Sequence, residues 1–182
     1  MSEPEPLLIV IGPPGAGKSR LGKKVARLLR VDFVDTDRRI VAKHGSIPQI
    51  FAEHGEEWFR KVERLEVAKS LGERAVVSLG GGAILNQETQ GDLAGKRVAH
   101  VTVSAEAVHS RIANSVRPLL TGGVESWKQL VEERREIYER LASRTWDSSD
   151  RTVTSMAHEI AEWVQATERA LQNDRLQNEE QE

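Results

Sequence analysis

The sequence predicts an α/β protein in three layers, with a central parallel sheet of about five strands and helices on both faces. Two observations carry this. Short apolar, β-branched runs alternate along the chain with stretches of helical period, and the first run leads directly into a glycine-rich turn that opens a helix. A length of 182 residues fits one domain, at most with a small lid.

Leu7, Leu8, Ile9, Val10 and Ile11 form a continuous apolar run, the pattern of a strand buried on both faces. Residues 18–30 follow, with Leu21, Val25, Leu28 and Leu29 at helical spacing. Further strands are expected at 31–35, 75–79 and 97–103, and a fifth near Thr145 and Trp146. Helices are expected at about 47–54, 57–72, 104–113, 126–143 and 155–172. Residues 1–172 read as a single domain, and the polar residues 173–182 as a disordered tail.

Composition narrows the function. With 38% hydrophobic and 30% charged residues, the chain is too apolar for disorder and too polar for a bilayer. The N-terminus is acidic and Pro-rich and lacks the basic start of a signal peptide, so a cytoplasmic protein is expected. The absence of cysteine excludes disulfides, Cys zinc sites and thiol catalysis. A net charge of -2 offers no global field for nucleic acid. The histidines show no metal-ligand spacing, and the tryptophans read as packing residues.

Gly12-Pro13-Pro14-Gly15-Ala16-Gly17-Lys18-Ser19 satisfies G-x-x-x-x-G-K-[ST] between a strand and a helix, the context a phosphate loop requires. Its backbone N–H groups and the helix N-terminus suit a nucleoside triphosphate. Lys18 is expected at the β- and γ-phosphates, with the Ser19 hydroxyl on Mg²⁺.

The acceptor side is less decided by local pattern. Asp35 and Asp37 follow the second strand, at the carboxyl end where open α/β sheets bind ligands. They could divide the holding of Mg²⁺ and the handling of a substrate proton, or Asp35 or Thr36 could simply cap the next helix. Gly80, Gly81 and Gly82 close the third strand and would let an acceptor lie against the backbone. Arg60 and Arg134 carry guanidinium groups suited to a carboxylate, although an arginine on an amphipathic helix is usually solvated. Arg117, in a Gly-terminated loop, suits a lid over phosphates.

The constellation resembles the shikimate kinase family. Arg60-x-x-Glu63-x-x-x-Val67, then Val76-Val77-Ser78-Leu79-Gly80-Gly81-Gly82-Ala83-Ile84, fits that family's signature. Asp35-Thr36-Asp37, Gly55-Glu56-x-x-Phe59-Arg60, Arg117-Pro118-Leu119-Leu120 and Arg134-x-x-x-Tyr138 stand in the family's order. The resemblance implies a P-loop kinase fold with a mobile lid at about 112–125 and acceptor-binding helices at about 36–62. It implies use of ATP and Mg²⁺ to phosphorylate the 3-hydroxyl of shikimate; a monomer is expected, and the composition leads us to expect no nucleic-acid or membrane partner. By the same resemblance Asp37, Arg60, Gly80, Gly81, Gly82 and Arg134 bind shikimate, and Asp37 orients or deprotonates the attacking hydroxyl. Ser19 holds the metal directly and Asp35 through water, while Lys18 and Arg117 stabilise the transferring group. Residues 12–20, Arg20 included, with Arg111, Arg117 and Arg151, are assigned to the nucleotide. Glu136 stands where the family commonly has Pro, which bears on how Arg134 is presented.

Overall fold

The computed structural model describes residues 4–113 and 122–179. Five strands, β1 (Leu8–Ile11), β2 (Asp32–Asp35), β3 (Ala75–Ser78), β4 (Val98–Thr102) and β5 (Arg144–Asp147), form one sheet in the order β2-β3-β1-β4-β5. Every pairing is parallel, with Ile9 opposite Val77 on one side and Val98 on the other. The helices are α1 (Lys18–Leu29), α2 (Thr36–His44), α3 (Ile47–Ser70), α4 (Gln87–Leu93), α5 (Ala105–Ala113), α6 (Gly123–Leu141) and α7 (Val153–Glu179). A short 3₁₀ turn, Ala83–Leu85, precedes α4.

Strand alternation sorts side chains into two cores, which is why the protein has three layers. Leu8, Val10, Ala99 and Val101 pack with Leu21 and Val25 of α1 and Met156 and Ile160 of α7. Ile9, Ile11, Val77 and Val98 point the other way, toward Val67 of α3, Leu93 of α4 and Tyr138 of α6. Each fully buried aliphatic side chain contributes about 1.5–3 kcal/mol of transfer free energy, so the continuous run in β1 anchors the sheet from both faces. A smaller cluster of Ile40, Ile50 and Phe59 ties α2 to α3.

The strand order positions the site. β1 and β3 are neighbours, but the chain leaves them toward opposite edges of the sheet, which opens a crevice above their carboxyl ends. The glycine-rich turn follows β1 and the triple glycine follows β3, so both motifs border that crevice.

Two differences from the sequence expectation have physical reasons, and one expected division holds. α4 has only Thr89 and Leu93 buried, too few for an apolar stripe to register. α3 runs from Ile47 to Ser70 but leaves helical geometry at Gly55 (φ 80°), so it is two helices joined at a kink, matching the separate stretches expected at 47–54 and 57–72. α7 continues to Glu179, so residues 173–179 are helical and not the disordered tail expected from their polarity. Among the described residues no helix is long and apolar enough to cross a membrane.

Candidate active site

The turn over residues 12–17 is shaped by its glycines. Gly15 and Gly17 have φ of 83° and 84°, a left-handed conformation other residues rarely adopt. No side chain caps the N-terminus of α1, which leaves its N–H groups for an anion. Pro13 and Pro14 border the turn and accept bonds through their carbonyl oxygens, from Lys18 Nζ at 3.1 Å and from Trp127 Nε1 at 2.8 Å. Ala16 is buried, and its carbonyl oxygen accepts from Ser148 Oγ at 3.0 Å. Arg111 Nη1 donates to the Gly15 carbonyl at 2.9 Å and Nη2 to that of Ser148 at 2.5 Å. Helices α5 and α6 and the segment after β5 therefore all buttress the loop.

Lys18 is surrounded by the groups that chemistry would use. Burial lowers its ammonium to about 8, against the opposing pull of Asp37 and Asp35. Ser19 Oγ donates to Asp35 Oδ2 at 2.5 Å, while Asp35 Oδ1 accepts from the Arg38 amide at 3.1 Å. Asp35 is thus both the cap of α2 and the neighbour of Ser19, so the two readings of its role hold together. Asp37 lies in the first turn of α2, half-buried, and its carboxyl is pushed above the usual carboxylate range by burial and by Asp35.

Two of the three glycines after β3 sit directly against functional side chains. None has positive φ, but a Cβ on Gly80 would overlap the Asp37 carboxylate, and one on Gly82 would overlap the Arg60 guanidinium. The Gly80 amide donates to Thr36 Oγ1 at 3.1 Å, which ties the start of α2 to this edge. Arg134 Nη1 donates to the Gly81 carbonyl at 2.7 Å. Arg60 Nη1 donates to Glu63 at 2.7 Å and Nη2 to the exposed Glu56 at 3.1 Å. Glu63 is buried, and burial pushes its carboxyl up despite the opposing Arg60. Arg60, Asp37, the glycine edge and Arg134 therefore line one side of the crevice that Lys18 borders on the other.

A family described as shikimate kinase matches residues 14–165. The shikimate kinase of Thermobifida fusca is 43% identical over 165 residues, 88% of this chain and 96% of its own. The chain belongs to the shikimate kinase family. It is accordingly a kinase of the shikimate pathway. The shikimate kinase of Corynebacterium efficiens is 38% identical over 85% of this chain and 94% of its own. Among solved structures, a shikimate kinase from Acinetobacter baumannii in complex with shikimate is similar at a TM-score of 0.79 and 26% identity, covering 90% of this chain and 94% of that one.

Set against the family's expected residues, Arg117 lies outside the described residues. Arg20 is exposed on the first turn of α1. Arg151 is held by Glu159 and Ser155 of α7, although it and Arg111 both act electrostatically on Asp147. Glu136 is exposed in α6, and Arg134 still reaches the Gly81 carbonyl. The sequence assigns Glu63 and Ser148 no part in the site, Thr36 no more than a possible helix cap, and Trp127 no more than packing. Glu63 lies three residues from Arg60 on a helix, and that spacing is its one signal in the sequence. Ser148 offered none, because its partners are backbone carbonyls distant in sequence.

Proposed function

We propose that the enzyme transfers the γ-phosphoryl group of ATP to the 3-hydroxyl of shikimate, giving shikimate 3-phosphate and ADP. The observation that carries this reading is the convergence of Lys18, Asp37, Arg60 and Arg134 on one crevice: Asp37 and Arg134 both act on the charge of Lys18, and Arg60 on that of Asp37. Phosphoryl transfer needs little covalent work from the protein, which supplies position and charge.

In this reading the backbone of residues 12–17 and Lys18 hold the triphosphate, with Arg20, Arg111 and Arg151 on the nucleotide side. Arg60 and Arg134 bind the shikimate carboxylate, and the edge of Gly80, Gly81 and Gly82 carries its hydroxyls. Asp37 accepts the 3-hydroxyl proton as the oxygen bonds to the γ-phosphorus and the bond to the β-phosphate bridging oxygen breaks. Its raised carboxyl range suits that task, since a base near the working pH is a better acceptor than a fully solvated carboxylate. Lys18 and Arg117 carry the negative charge of the transferring group.

The residues fit Mg²⁺. Ser19 Oγ and Asp35 Oδ2 are hard oxygen donors side by side at the start of α1, and Mg²⁺ takes oxygen ligands while keeping several waters. Ser19 would hold it directly and Asp35 through water, and when bound it neutralises charge on the phosphate oxygens. The reading includes a monomer acting in the cytoplasm on two small molecules, with no nucleic-acid or membrane partner.

A coupled assay with Mg-ATP tests the reaction. ADP formation should depend on shikimate and saturate with it. ATP binding without turnover at millimolar shikimate would overturn the reading.

A further inference from the structure

On β4 a polar side chain faces the α6 core. His100 is paired in register with Ile11, the residue before the glycine-rich turn, and is only 7% exposed. Its Nδ1 is buried with no hydrogen-bond partner, an arrangement that destabilises a fold and that an apolar side chain would avoid. Its ring lies almost parallel to that of Tyr138, with centroids 4.8 Å apart and planes 11° from each other. Burial and the Lys18 ammonium push the imidazole down to about 4, so the ring is uncharged at neutral pH and adds no cation beside Lys18.

Tyr138 leads to the acceptor side. Its hydroxyl donates to the Gly81 carbonyl oxygen at 3.3 Å, the same oxygen that accepts from Arg134. Arg134 and Tyr138 are four residues apart on α6, hence on one helix face, and both reach a single carbonyl of the glycine edge. The depth at which that face seats depends on what lies against the Tyr138 ring, and that is His100.

We propose that His100 is a positioning residue for the acceptor pocket: its ring, stacked on Tyr138, sets where Tyr138 and Arg134 hold the Gly81 carbonyl, and so governs the affinity for shikimate and not for nucleotide. The inference rests on the assignment of Arg134 and the glycine edge to shikimate. A purely structural role would lower stability without separating the two substrates.

The test compares the KM values for shikimate and for ATP in three variants. An aromatic stack is worth a factor of about three to ten in an equilibrium constant. His100→Leu, which removes the stack, should raise the shikimate KM by about that factor and leave the ATP KM within about twofold. His100→Phe keeps the stack and removes the orphaned nitrogen, so it should restore the shikimate KM. Tyr138→Phe removes only the hydroxyl and should again raise the shikimate KM alone, which keeps the proposal testable if His100→Leu fails to fold. An unchanged shikimate KM in His100→Leu or Tyr138→Phe, equal rises in both KM values, or a failure of His100→Phe to rescue would overturn it. Wild-type enzyme inactive on shikimate would overturn instead the functional reading beneath it.

Discussion

On the β1 side of the crevice a ligand meets backbone: left-handed glycines, an uncapped helix N-terminus and one lysine whose ammonium burial lowers to about 8 against the pull of Asp37 and Asp35. On the β3 side it meets side chains already engaged with each other, Arg60 with Glu56 and Glu63, and Arg134 with the Gly81 carbonyl. The phosphate side therefore awaits a charge it lacks, while the acceptor side must exchange partners to take one. Glu56 is exposed and its pairing with Arg60 is weak, of order 1 kcal/mol or less, whereas Glu63 is buried and releasing it would strand a charge. An incoming carboxylate should displace Glu56 and leave Glu63 in place. Such an exchange couples binding of the acceptor to rearrangement of its own clamp, and so favours the correct small acid over water.

The sharpest way to break this contrast is at Asp37, where the two sides meet. Asp37→Asn keeps the shape but removes the proton acceptor, and kcat should fall by about 10²–10⁴ with ATP affinity within about twofold. Wild-type turnover would mean that the carboxylate takes no proton in the rate-limiting step.

A smaller effect sharpens the phosphate side. The free enzyme holds Lys18 lowered to about 8, and bound phosphates favour its charged form. Nucleotide binding above pH 8 must therefore take up a proton, and affinity should weaken as pH rises, by about fivefold between pH 8 and pH 9. Calorimetry in two buffers of different ionisation heat would show the uptake at pH 9 and its absence at pH 7. A flat affinity without uptake would mean that Lys18 is already fully charged in the free protein.

The phosphate side was the more legible of the two in the sequence, for the same reason that it differs in build. Its motif is contiguous, and each glycine is needed by the local path of the chain, so Gly12 to Ser19 could be read without tertiary knowledge. The strand alternation was equally local, and Leu8 to Ile11 lies where its run of apolar residues implied. The acceptor side is assembled from α2, α3, the end of β3 and α6. No local pattern joins Arg60 to Gly82 or Arg134 to Gly81, and only the family resemblance connected them. His100 shows nothing in the sequence beyond its lack of metal-ligand spacing, because its meaning depends on Tyr138, thirty-eight residues away. The helical continuation of α7 was missed because polarity alone, without an apolar stripe, does not distinguish a solvated helix from a disordered tail.

The most direct measurement is a crystal structure of the enzyme with shikimate and a non-hydrolysable ATP analogue. The shikimate carboxylate should lie on Arg60 and Arg134, with Glu56 released from Arg60, Glu63 still paired, and the 3-hydroxyl between Asp37 and the γ-phosphate. Shikimate bound with Arg60 still holding both glutamates, or with its 3-hydroxyl away from Asp37, would contradict it.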